Sequence, residues 1–96
     1  MDGSTPTVRR DDERSRYELM IEGSVVGFAD FHLDGALVIM PHTVIDPARR
    51  GQGLAATLVQ AALDDVRERG RSVVPSCWYV AQFLDEHPEY ADLRAA

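Results

Sequence analysis

The run Val44-Ile45-Asp46-Pro47-Ala48-Arg49-Arg50-Gly51-Gln52-Gly53-Leu54-Ala55-Ala56 holds residues whose types and spacing could grip a pyrophosphate. Gly51 and Gly53 let the main chain turn tightly, and with Ala55 they let a bulky anion approach its N–H groups. A helical pattern begins at once, so these donors stand at a helix N-terminus, where partial positive charge gathers. Arg49 and Arg50 have two readings: guanidinium contact with phosphate, or a solvated turn. Two further groups could do chemistry. His42 carries an imidazole, the side chain suited to taking a proton at neutral pH, although a lone histidine is more often structural or exposed. Cys77, the chain's one thiol, could be a nucleophile, a non-covalent lining of a site, or a small buried apolar residue.

These residues need elements to hold them. Tyr17, Leu19 and Ile21 alternate with Glu18, Met20 and Glu22, the period of a half-buried strand. Gly23-Ser24 reads as a hairpin turn, residues 25–33 as a second strand, and Asp34-Gly35 as a type I′ turn. A third strand covers 36–45, with Pro41 marking a bulge or a place where pairing stops. A helix over about 52–69 carries Leu54, Leu58, Val59, Ala62, Leu63 and Val66 on one face, and Gly70 stops it. Residues 72–75 form a short strand. Strand, helix and strand in that order imply a right-handed crossover and parallel pairing. A short helix over about 80–86 closes the chain, with Tyr90 and Leu93 as anchors of the tail. The fold class is α+β, or mixed α/β: a three-stranded antiparallel meander, a crossover helix, a parallel fourth strand and a C-terminal helix.

Bulk properties narrow the function. Ninety-six residues make one small domain, 45% hydrophobic and 27% charged, with a formal charge of −6. That charge disfavours nucleic acid as a partner. No signal-like or membrane-length apolar run occurs, so a cytoplasmic protein without a membrane partner is expected. Residues 1–14 read as a flexible charged leader and 15–94 as the domain. One cysteine and three dispersed histidines lack a metal-ligand spacing, so no metal is expected.

Three phosphate-bearing ligands compete for the glycine turn. A P-loop needs lysine and a hydroxyl after its last glycine, and Leu54-Ala55 stand there. A dinucleotide fingerprint matches Gly51-x-Gly53-x-x-Ala56 loosely, but it belongs on a first βα unit with an acid ending the next strand. Here it follows a third strand, and the next strand runs Val73-Val74-Pro75-Ser76.

The third ligand is coenzyme A. Arg50-Gly51-Gln52-Gly53-Leu54-Ala55 satisfies the acetyl-CoA signature of the GNAT-type N-acetyltransferases, which the chain resembles. Pro41-His42-Thr43, Val74-Pro75-Ser76-Cys77-Trp78-Tyr79-Val80 and His87-Pro88-Glu89-Tyr90 narrow the resemblance to minimal, stand-alone GNAT-like domains. The match runs from about Tyr17 to Leu93. The resemblance implies a truncated GNAT fold that binds acetyl-CoA as acetyl donor, with an unidentified amine acceptor: a small amine, a peptide or a protein.

In that fold two neighbouring parallel strands splay, and pantetheine lies between them. Pro41 and Pro75 would weaken pairing at such a gap. Main-chain groups of Thr43, Val44 and Ile45 would then bind pantetheine like an added strand, and amides from Gly51 to Ala56 would receive the diphosphate. Cys77 falls where the thioester would end. The resemblance points to a reactive cysteine there, one that could carry the acetyl group. His42 is the base candidate, for an ammonium substrate or for Cys77. Tyr79 is a runner-up acid for the leaving thiolate. His32 and His87 have weaker claims.

The leading function is an acetyl-CoA-dependent N-acetyltransferase, with an acyl-Cys77 intermediate as one route. The alternatives are a non-catalytic acetyl-CoA or CoA sensor or adaptor, and a small interaction domain using a sheet edge. A monomer or weak homodimer is expected. Fuller GNAT domains carry two N-terminal helices around the acceptor; their absence here implies an open acceptor site or one completed by another chain.

Overall fold

The computed structural model of the chain describes residues 5–95. In chain order its elements are β1 (Thr7–Asp11), β2 (Arg16–Ile21), β3 (Ser24–Asp30), β4 (His32–Asp34), β5 (Leu37–Ile39), β6 (Thr43–Ile45), α1 (Leu54–Glu68), β7 (Ser72–Val74) and α2 (Trp78–Glu86). Short 3₁₀ turns at Pro47–Arg49 and Pro88–Leu93 complete it.

The architecture is the expected mixed α/β arrangement: an antiparallel sheet, a crossover helix, a parallel strand pairing and a C-terminal helix. Two details of the meander differ. It gains a strand, because the whole of β1 pairs with β2, from Thr7↔Met20 to Asp11↔Arg16. The expected flexible leader is therefore corrected over Thr7–Asp11; residues 1–4 lie outside the described residues. Side chains hold β1 down. Arg9 donates to Glu18 at 2.8 Å, and Arg10 reaches both the Tyr17 hydroxyl and Asp65 of α1. A charged leader thus orders because its arginines meet fixed acceptors, which composition does not reveal.

The second difference is that both middle strands break. Residues 25–33 divide at Phe31 into β3 and β4, and residues 36–45 divide at Met40-Pro41-His42 into β5 and β6. Pro41 has no N–H to give a ladder. The result is two sheets, ordered β1-β2-β3-β6 and β4-β5-β7. Among the named strands only β5 and β7 pair in parallel, in the register Val38↔Val73.

The turns are set by local chemistry. Glu22 and Gly23 both have positive φ (52° and 80°), a type I′ hairpin placed one residue earlier than expected. At the next hairpin Gly35 alone is positive (58°), which gives a type II′ turn instead of the expected type I′. A register shift between Leu19 and Met20 leaves Val26 without a cross-strand partner and turns it into the core with Ala29 and Phe31.

Helix α1 lies across the inner sheet face. Leu58, Val59, Ala62, Leu63 and Val66 are buried there against Tyr17, Leu19, Val38 and Val73. Each of these leucine and valine side chains contributes about 1.5–3 kcal/mol by leaving water. Its C-terminus is a Schellman motif: Arg71 N–H bonds Val66 C=O, Gly70 N–H bonds Arg67 C=O, and Gly70 has φ 67°. The tail folds back as expected, with Tyr90 buried and its hydroxyl donating to Asp64 at 2.6 Å. Burial, then Asp64, pushes that phenol up to about 12. Among the described residues, no helix is long and apolar enough to cross a membrane.

Candidate functional site

The glycine turn opens where β6 ends. Asp46 accepts from Ala48 N–H at 2.9 Å, which starts the 3₁₀ turn at Pro47. The chain then passes through Gly51 (φ 82°) and Gly53 (φ 72°). Left-handed Gly53 cannot be helical, so α1 starts at Leu54 and not near residue 52. A Cβ on either glycine would meet nothing within 4 Å; backbone conformation, not crowding, requires glycine here.

No side chain caps α1. The first N–H bonded back to the turn is that of Thr57, to Gly53 C=O at 3.3 Å. The amides of Leu54, Ala55 and Ala56 therefore lack helical acceptors. They line an open cleft with Ile45, Arg49, Arg50, Gly51, Gly53 and Tyr79. Its volume, about 130 Å³, is well below the roughly 300–1,000 Å³ of whole-ligand pockets. A nucleotide would seat one part there and lay the rest over the surface. Gln52 is exposed and does not line the cleft. Among the described residues Arg49 and Arg50 take no part in an ion pair, whereas Arg9, Arg10, Arg14, Arg16, Arg67, Arg69 and Arg94 all do.

Beside the cleft two strands part. Met40 holds the β7 side through its N–H to Val74 C=O (3.0 Å) and its C=O from Cys77 N–H (2.9 Å). Past Pro41 the chain swings to β3, where β6 is the last strand of its sheet. Asp30 N–H bonds His42 C=O and Asp46 N–H bonds Val26 C=O. By the alternation of an antiparallel ladder, the Val44 main chain is then committed to β3. Those of Thr43 and Ile45 face the open edge. Of the three residues expected to bind as an added strand, the ladder sets Val44 apart from Thr43 and Ile45.

Cys77 sits at the foot of this wedge. It is the extended N-cap of α2 (φ −80°, ψ 130°), which starts the helix at Trp78 and not near residue 80. Cys77 is buried, at 7% exposure, and its Sγ lies 3.6 Å from Thr43 Oγ1. The helix N-terminus behind it carries partial positive charge.

His42 is exposed, and Asp30 holds it. The Asp30 carboxylate accepts His42 N–H at 2.9 Å through Oδ1 and faces ring Nδ1 at 3.0 Å through Oδ2. Thr43 pairs with Ala29 on the buried face of the sheet, and Val44, next along, is exposed. Strand alternation thus puts His42 on the opposite face from Thr43 and Cys77. The structure brings Cys77 to Thr43 and His42 to Asp30, and does not join the two pairs.

Asp30 escaped sequence reasoning. In the sequence it is only a lone acid within the expected 25–33 strand, and nothing local sets it opposite His42. Tyr79 lines the same cleft, and burial, followed by Glu86, raises its phenol above the ordinary range. Trp78 is 75% exposed and meets Tyr79 edge-on at 5.8 Å. His32 is exposed. His87 stacks on Phe83 and its Nδ1 lies 2.8 Å from Phe83 C=O, a structural end to α2.

A family profile described as GCN5-related N-acetyl-transferase matches residues 16–93. NATD1 from Bos taurus is 40% identical over 52 residues, 54% of this chain and 46% of that one, so the matched stretch spans about half of that curated relative. Among solved structures, a GCN5-like protein from Staphylococcus aureus superposes with a TM-score of 0.73 at 17% identity, over 100% of this chain and 92% of the other. A GNAT family N-acetyltransferase from Escherichia coli, solved in complex with CoA, gives 0.56 at 29% identity over 71% of this chain and 43% of the other.

Proposed function

The chain belongs to the family of GCN5-related N-acetyltransferases, and from that premise we propose that it transfers the acetyl group of acetyl-CoA to an amine through Cys77. The observation that carries this reading is the uncapped start of α1, with two left-handed glycines, set beside a strand edge that has lost its partner. Diphosphate fits the first feature. An amide-bearing pantetheine arm fits the second, because Thr43 and Ile45 offer free N–H and C=O groups in strand geometry. Arg49 and Arg50 add charge at the diphosphate.

Seated this way, the thioester reaches the wedge at Cys77. Attack by the Cys77 sulfur on the acyl carbon forms an S–acetyl bond and breaks the bond to the CoA sulfur. The proton of the Cys77 thiol goes to the departing sulfur. An amine nitrogen then attacks the acyl carbon of acetyl-Cys77, the bond to the Cys77 sulfur breaks, and that sulfur leaves with one of the nitrogen's surplus protons. His42, on the face away from Cys77, takes the proton of the incoming ammonium.

A second reading is a CoA sensor without chemistry. The burial of Cys77 favours it, since a closed thiol is a poor nucleophile. The deciding experiment pairs calorimetry on CoA with release of free thiol from acetyl-CoA across a panel of amines and peptides. Binding with amine-dependent thiol release is expected. Binding without release would leave the sensor, and no binding would remove both.

A further inference from the structure

The pair Asp30–His42 contains more than a base. We infer that Asp30 is a positioning residue that fixes the tautomer and aim of His42 and makes the uncovered sheet face the side from which the amine arrives. The inference rests on the reading of His42 as proton acceptor.

Asp30 ends β3 directly across from His42. Three bonds join them: the two from the carboxylate, and Asp30 N–H to His42 C=O at 3.3 Å. An ionised carboxylate only accepts, so ring Nδ1 must carry the hydrogen and the neutral ring keeps its lone pair on Nε2. The Asp30 side chain is 28% exposed and the His42 side chain 69%, so the carboxylate stands behind the ring and the ring stands open. The one cation in register with Asp30 is Arg16 on β2. Its guanidinium is taken by Glu18 at 2.7 Å and stacks 4.6 Å from the Phe28 centroid. Asp30 is thus left to His42.

Location supplies the rest. His42 lies two residues past Met40, where the strands part, and next to Thr43, which touches Cys77. Its ring faces away from α1, on the side that α1 does not cover. An amine arriving there meets Nε2 before it meets the acyl carbon. Nε2 takes one proton from the ammonium, and the resulting imidazolium keeps its Nδ1–H on Asp30. The freed lone pair attacks the acyl carbon, the carbon–sulfur bond breaks, and the sulfur leaves with the nitrogen's second surplus proton.

The substitution Asp30→Asn tests this. Its Oδ1 still accepts His42 N–H, but its NH₂ now faces Nδ1. The ring nitrogen must then accept, and its proton moves to Nε2. Long-range ¹H–¹⁵N NMR on the full chain is expected to give the Nδ1–H tautomer in the parent and Nε2–H in Asp30→Asn. With acetyl-CoA and n-butylamine, kcat is expected to fall on the order of tenfold or more in Asp30→Asn and Asp30→Ala. KM for acetyl-CoA should stay within about twofold. A parent His42 in the Nε2–H form, or unchanged kcat in both variants, would overturn the inference. Parental turnover in His42→Gln would instead remove the base itself. Loss of turnover in His42→Gln with none in the Asp30 variants would remove only the positioning role.

Discussion

The thiol of Cys77 stands 3.6 Å from the hydroxyl of Thr43, across the point where two strands separate. Both residues lie just past Met40, whose C=O still accepts the Cys77 N–H. One strand turns into α2 there and the other departs for β3. The thiol thus closes the narrow end of a wedge whose far side is an unpaired strand edge.

The proposed nucleophile can be tested cleanly, because the ten Lys and Arg residues of the chain are all arginine. No side-chain amine competes for acetyl. Intact-protein mass spectrometry after incubation with acetyl-CoA is expected to show one acetyl group, released by hydroxylamine and absent from Cys77→Ala. Full turnover in Cys77→Ala with no adduct on the parent would establish direct transfer from CoA.

Gly53→Asp should weaken CoA binding on the order of a hundredfold, because it sets a carboxylate at the diphosphate and forces a left-handed side chain costing about 1–2 kcal/mol. Gly53→Ala carries the strain without the charge, so it should lower Tm while weakening CoA less. Calorimetry and thermal melts separate the two effects. A folded Gly53→Asp protein with parental affinity would remove the diphosphate assignment.

Arg49→Gln and Arg50→Gln bear on the same anion from the side-chain direction. A charged hydrogen bond lost is worth about 1.5–3 kcal/mol, so whichever arginine holds phosphate should cost about ten- to a hundredfold in CoA affinity. Neither is in an ion pair among the described residues, so Tm should stay near that of the parent. Unaltered CoA affinity in the double variant would return both to a solvated turn.

Gly27 connects stability to the site. A Cβ there would stand 2.6 Å from Ile45 Cδ1 and 2.8 Å from Val44 C=O. Gly27→Ala must therefore push β6 away from β3, at about 1–3 kcal/mol of overpacking. Lower Tm together with weaker CoA binding is expected. Parental values for both would show that β6 gives way freely.

Acid should destabilise the fold through Glu18, which is 1% exposed between Arg16 and Arg9. Burial alone would raise its carboxyl, but the hydrogen bonds from Arg16 and Arg9 outweigh that and hold it below its ordinary 4.5. A depressed folded value stabilises above 4.5, and that stability drains away as pH falls through the folded value. Urea melts from pH 6 to pH 3 should show a steeper loss in the parent than in Glu18→Gln. Parallel curves would exclude this carboxylate as the source.

Much of this was legible in the chain because it is local. Alternation from Tyr17 to Ile21, the helical stripe from Leu54 to Val66, Gly70 as a stop and Gly51-Gln52-Gly53 before a helix are patterns over a few residues. They set element type, the crossover and the family. The break at Pro41 was visible too, since proline cannot donate. Its outcome was not: β6 leaves β5 entirely, and only the ladder to β3 reveals that the Val44 main chain is spent while Thr43 and Ile45 remain open.

By itself, then, the sequence determined the order of elements and the anion-ready turn, because dihedral preference and hydrophobic period act between near neighbours. The tertiary structure alone decided the pairings across long stretches of chain: Arg10 with Asp65, Thr43 with Cys77, Asp30 with His42. These depend on strand register and on which face each residue takes. A single bulge or sheet switch changes both, and no local pattern encodes where a distant partner will stand.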